Sequence, residues 1–109
     1  MGPPPSQIVA AWVKAELTND GWMPLSEICF AAARKNWSTP SESELLDFVE
    51  SNLSYVAEHL RNDLAECDVD GVKPLYEIDN EQPPYIRKLA FPASDIVAKM
   101  RKVDPGISL

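Results

Sequence analysis

His59 is the sole histidine of the chain, and on a helix it would stand one turn from Tyr55 and one turn from Asp63. A general base or a nucleophile relay needs such a partner within hydrogen-bond reach. Neighbours at four-residue spacing arise by chance on any acidic helix, so His59 is read as a surface side chain with ordinary helix-side contacts. Cys29 and Cys67 lie 38 positions apart with no second cysteine or histidine beside either, which spells neither a zinc knuckle nor a redox pair. Both are read as reduced, partly buried thiols. A disulfide between them would need their α-carbons within about 7 Å. Asp68-Val69-Asp70-Gly71 starts like a calcium loop, but Asp79 rather than glutamate stands at the twelfth position, and Lys73 and Pro74 occupy the middle. Four scattered glycines make no phosphate-cradling loop. The expectation is a noncatalytic protein with no metal and no cofactor.

Charge is distributed unevenly. Residues 41–80 hold eleven acids against Arg61 and Lys73, a balance of −9. Residues 1–40 balance at zero, and residues 81–109 carry five bases against three acids. Acids at the start of a helix gain from its dipole. Here they continue through Glu58, Asp63, Glu66, Asp68 and Asp70 with little compensation at four-residue spacing, so the segment projects a field toward basic partners. The whole chain carries −7, which disfavours nonspecific contact with phosphate backbones or anionic lipid.

Elements that would hold these groups follow from periodicity. A first helix is predicted from Ser6 as N-cap, with Ile8, Val9, Trp12, Val13 and Leu17 on one side, stopped at Asn19-Asp20-Gly21. Pro24 suits the first turn of a second, short helix whose stripe is Leu25, Ile28, Cys29, Ala32 and Ala33. Trp22 and Trp37 flank it and are read as lids on the core rather than exposed anchors. Thr39-Pro40-Ser41-Glu42 predicts the start of a third helix, with Thr39 as cap. Leu45, Val49, Leu53, Val56, Leu60 and Leu64 continue it as one helix of some 27 residues. A break near Ser51-Asn52 or Ser54 would give two. Asp68 to Gly71 then reads as a turn.

Residues 72–78 and 85–89 predict a hairpin joined by the polar loop 79–84, short and at an edge because of Pro74, Pro83 and Pro84. A last helix is predicted over residues 93–102, capped by Ser94, with Ile96, Val97 and Met100 on one side and Lys99, Arg101 and Lys102 at its end. The organisation is an extended tail over 1–5, one globular domain over 6–102 and a frayed end over 103–109. With 109 residues there is material for one core. No run suits a membrane span, the start is neither basic nor apolar in the manner of a signal peptide, and the expected location is cytoplasmic. Gly2 with Ser6 fits a myristoylation pattern formally, although Pro3, Pro4 and Pro5 make a stiff extended start.

This order, with the Met23-Pro24-Leu25-Ser26-Glu27-Ile28 opening and the His59-Leu60-Arg61-Asn62-Asp63-Leu64 turns running into Asp70-Gly71 and a wing-like strand pair, resembles the winged helix-turn-helix domains over about residues 7–91. The resemblance implies a mainly α fold with a small β-hairpin, three to five helices and a two-stranded wing. It also implies a third helix that enters the major groove of DNA with Arg, Lys, Asn, Gln or Ser. This chain departs from that pattern, because its third helix is its most acidic part.

Two functions are therefore expected in order. The first is a protein-binding inhibitor or adaptor that docks a basic surface, such as the groove of a nucleic-acid-binding protein, through Glu42, Glu44, Asp47, Glu50, Glu58 and Asp63. The second is a transcription regulator binding DNA through Arg34, Lys35, Arg87, Lys88, Lys99, Arg101 and Lys102. A homodimer would bury further apolar area in either case.

Overall fold

The computed structural model describes residues 2–38 and 40–89. Three helices and three short strands follow in the order α1 (Ser6–Glu16), β1 (Met23–Pro24), α2 (Leu25–Asn36), α3 (Glu42–Asp70), β2 (Tyr76–Ile78) and β3 (Tyr85–Lys88). The architecture is mainly helical with a small antiparallel sheet. The last helix predicted over 93–102 and the end 103–109 lie outside the described residues.

Helix α1 begins one residue earlier than the Ser6 cap implied. Ser6 is helical, and the carbonyl of Pro5 accepts from the amides of Ile8 (3.0 Å) and Val9 (3.1 Å). The helix ends at Glu16, ahead of the predicted Asn19-Asp20-Gly21 stop. Pro24 likewise sits outside α2, in extended backbone, where its missing amide costs the helix nothing. The first amide of α2, on Leu25, donates instead to the carbonyl of Pro84 at 3.0 Å, which ties the helix start to the loop before β3.

Helix α3 is one continuous rod of 29 residues, about 43 Å long at about 1.5 Å per residue. Ser41 is its cap, not Thr39, which lies outside the described residues. The Ser41 hydroxyl oxygen accepts from the Glu44 amide at 3.3 Å. Asn52 does not break the rod, because its side-chain amide donates back to the Phe48 carbonyl at 2.8 Å. The expected turn at Asp68 also gives way to helix, which ends only at Gly71 in the left-handed region (φ 68°). There the amides of Gly71 and Val72 close on the carbonyls of Asp68 and Cys67, a Schellman termination.

The predicted hairpin is present, and it carries a third strand that the sequence did not announce. The sheet order is β1-β3-β2, with Met23 opposite Ile86, Pro24 opposite Tyr85, and Ile78 opposite Ile86 on the other side. Ile86 is thus flanked by two apolar neighbours and is fully buried. The loop before β3 closes on Asp79, whose carboxylate accepts from the amides of Tyr85 (2.8 Å) and Glu81 (3.2 Å).

The core lies where the three helices meet the inner face of the sheet. Val9 and Val13 of α1, Leu25, Ile28 and Cys29 of α2, and Val56 and Leu60 of α3 meet there with Tyr76 and Ile86. Ion pairs clip its edges: Lys14 to Asp63 across α1 and α3 (2.7 Å), and Lys35 to Glu16 across α2 and α1 (3.0 Å). Both cysteines are free thiols.

Candidate functional site

Packing of α3 against α1, α2 and the sheet decides which of its carboxylates face outward. Leu45, Val49, Val56 and Leu60 are buried and define the inner side. At about 100° per residue, Glu44, Asp47, Tyr55 and Glu58 fall within a sector of about 80° on the opposite side. All four are exposed. Among the described residues these three carboxylates enter no ion pair, and Glu44 accepts a hydrogen bond from the Ser41 hydroxyl at 3.1 Å.

The remaining three predicted carboxylates sit elsewhere on the helix surface. Glu42 lies at the mouth of a small cleft between α2 and α3, lined also by Arg34, Phe30 and Trp37. Glu50 borders a second cleft with Arg61, Pro83 and Pro84. Asp63 turns toward α1, where Lys14 holds it in an ion pair. A charge already neutralised within the molecule contributes little to an outward field. The structure thus gathers Glu44, Asp47 and Glu58 on one face and sets Glu42, Glu50 and Asp63 apart from it.

Two side chains on the exposed surface of α3 were not singled out from the sequence as binding residues. Leu46 is 53 % exposed and Tyr55 is 58 % exposed. Tyr55 lies off the stripe that faces the core, and that phase mismatch is the signal by which it could have been found, whereas Leu46 shares the phase of Leu64 and is exposed near the start of the helix. An exposed tyrosine among carboxylates offers a ring for packing and a hydroxyl for hydrogen bonding, the combination that anchors protein interfaces.

No family model, curated protein or solved structure matches this chain.

The bases proposed for phosphate contact divide among several places. Lys35 is paired with Glu16. Arg87 is paired with Glu77 and also lies over the ring of Trp22, 4.8 Å from its centroid. Trp22 is 45 % exposed and so carries a cation rather than sealing the core. Trp37 packs edge-on against Phe48, with ring centroids 4.9 Å apart. Arg34 lines the α2/α3 cleft, whereas Lys88 lines a groove bounded by α1, α3 and β2. Lys99, Arg101 and Lys102 lie outside the described residues.

Burial pushes the Cys29 thiol up from 9.0 to about 12, so it stays protonated and unreactive near neutral pH. Burial also raises the Tyr76 phenol well above its ordinary value, with the charges of Asp63 and Cys67 adding to the effect. His59 is half-buried on α3, and its neighbour Asp63 is held by Lys14. Among the described residues no cluster of three or more histidines, cysteines and carboxylates could hold a metal ion. No helix among them is long and apolar enough to cross a membrane.

Proposed function

We propose that this chain is a noncatalytic protein-binding module, an inhibitor or adaptor, that docks a basic partner surface through the outer face of α3. The observation that carries this reading is the exposed group of Glu44, Asp47 and Glu58 around Tyr55, free of internal ion pairs among the described residues. Like charges held on a rigid helix attract a complementary surface over a Debye length of about 8 Å at physiological salt. Tyr55 then supplies the apolar contact that long-range attraction lacks. Binding in the cytoplasm, where a small acidic domain would meet basic nucleic-acid-binding proteins, is part of the same proposal.

The order helix, strand, helix, helix, strand, strand, with β1 against β3, supports the winged-helix resemblance. That observation also favours a second reading, a DNA-binding regulator, since α3 is the helix which that family places in the major groove. It ranks second because the exposed half-turns of α3 from Glu42 to Tyr55 present no lysine or arginine to phosphate.

A titration of isotope-labelled protein with a lysine- and arginine-rich peptide tests the first reading. Chemical-shift changes centred on Asp47, Tyr55 and Glu58, lost in the E44K/D47K/E58K variant while its helical circular dichroism is kept, are expected. Changes that avoid α3, or binding retained by that variant, would overturn it. Binding to random-sequence duplex DNA at about 50 mM salt that fades by about 200 mM would instead move the assignment to the second reading.

A further inference from the structure

Arg61 of α3 carries a guanidinium that the fold ties down without satisfying. Its Nη2 donates to the main-chain carbonyl of Asp79 at 2.9 Å, whereas its Nε is shielded from solvent and has no hydrogen-bond partner among the described residues. A shielded N–H without a partner is a standing cost to the fold, and the cost is larger on a charged group.

The same side chain lines an open cleft of about 260 Å³ between α3 and the loop that precedes β3. Glu50, Ser54, Ala57 and Arg61 form one stripe along α3, and Gln82, Pro83 and Pro84 make the facing wall. Both walls are fixed. The Pro84 carbonyl accepts from the Leu25 amide, and the Asp79 carboxylate accepts from the amides of Glu81 and Tyr85. Ala57 and Pro84 are buried, so the middle of the cleft is apolar. Its ends are opposite in charge: Glu50 is exposed, and it stands about 16 Å from Arg61 along the helix axis at about 1.5 Å per residue. Neither enters an ion pair among the described residues.

We propose that this cleft binds the carboxyl-terminal end of a short extended peptide. Its carboxylate lies on Arg61, and a lysine or arginine about four residues upstream, at about 3.3 Å per residue, lies on Glu50. The charge order of the cleft selects the direction of the peptide, since the reverse sets a carboxylate against Glu50 and a cation against Arg61. A terminus suits the Arg61 end because the bridge to Asp79 joins α3 to the foot of the loop and so closes that end. The guanidinium is already held in place, so little side-chain entropy is lost when a carboxylate arrives. Shielding also leaves less water to compete with that anion. Ser54 and Gln82, one on each wall, offer a hydroxyl and an amide to the peptide main chain. The stripe shares no residue with the outer face of Glu44, Asp47 and Glu58, and binding there is independent of the partner proposed above.

Amide spectra of the isotope-labelled full chain, titrated with the acetylated peptide Lys-Ala-Ala-Ala-Leu bearing a free carboxylate, test the assignment. Saturable shifts centred on Ser54, Ala57 and Gln82 are expected. Amidation of the peptide carboxylate, which leaves the protein untouched, and E50K, at an exposed position, should each weaken binding about tenfold by removing one charged contact. Equal affinity for the acid and the amide, or unchanged affinity in E50K, would overturn the proposal. The absence of any saturable shift at about 10 mM peptide would do the same. Shifts confined to Asp47, Tyr55 and Glu58 would also overturn it, by assigning the peptide to the outer face through its lysine alone.

Discussion

Tyr76, the first residue of β2, donates its phenolic hydrogen to the main-chain carbonyl of Leu60 in the middle of α3, at 2.9 Å. The bond is buried and joins sheet to helix across 16 positions of sequence. Without a partner, a buried phenol would cost more than its ring returns by packing. Tyr76→Phe keeps the ring and removes the bond, so it should lower stability by about 1 kcal/mol, read as a lower urea midpoint at unchanged slope. No change in midpoint would show that the bond contributes nothing net.

Lys14 and Asp63 also join α1 to α3, but both side chains are 40 % exposed. Solvent screening leaves such a pair about 0.2–1 kcal/mol. Asp63→Asn should therefore change thermal stability little and leave binding of a basic peptide nearly unaltered. Glu58→Gln, on the outer face, should weaken that binding while sparing stability. The opposite ranking in a binding titration would shift the docking face toward α1.

Two end positions of α3 set its length. Ser41→Ala removes the acceptor for the Glu44 amide and should cost about 1 kcal/mol. Gly71→Ala forces a β-carbon into left-handed backbone and should cost a similar ~1 kcal/mol. Nothing crowds the added β-carbon at Gly71, so the cost is conformational. Amide exchange should quicken near residue 44 in the first variant and near residues 67–70 in the second.

Alkaline pH should destabilise the fold. The Cys29 thiol titrates near 9.0 when exposed and at about 12 when buried, so the unfolded chain releases its proton first. The contribution is complete below about pH 9 and is lost as pH rises toward the folded value, because the unfolded state binds fewer protons in that window. Tyr76, raised in the same sense, steepens the decline above its ordinary 10.0. Each group adds a slope of up to about 1.4 kcal/mol per pH unit. Denaturant midpoints measured from pH 8 upward should fall, and Cys29→Ala should delay the fall.

Much of this organisation is written in local pattern. The stripe from Leu45 to Leu64 crosses Ser51-Asn52 without a phase change, and the structure keeps one helix there because Asn52 satisfies itself on Phe48. The end at Asp68 was misplaced, since Asp and Val tolerate helix and only Gly71 needed left-handed backbone. Strand β1 could not be read at all. Two residues, one of them proline, show no alternation, and they become a strand only when β3 is placed beside them. The predicted strand over 72–78 shortened to Tyr76–Ile78, beyond Pro74, which has no amide to offer a ladder.

The sequence by itself determined the phase of the described helices, the hairpin and the concentration of acid in the middle of the chain, because each depends on residues near one another. The tertiary structure alone decided which acids remain outward. Asp47 and Asp63 are the same residue type leaving α3 at different angles, and that angle acquires meaning once α1 packs alongside and brings Lys14 to Asp63. Charge composition is additive along a chain, but a field depends on where each charge stands relative to solvent and to its partners.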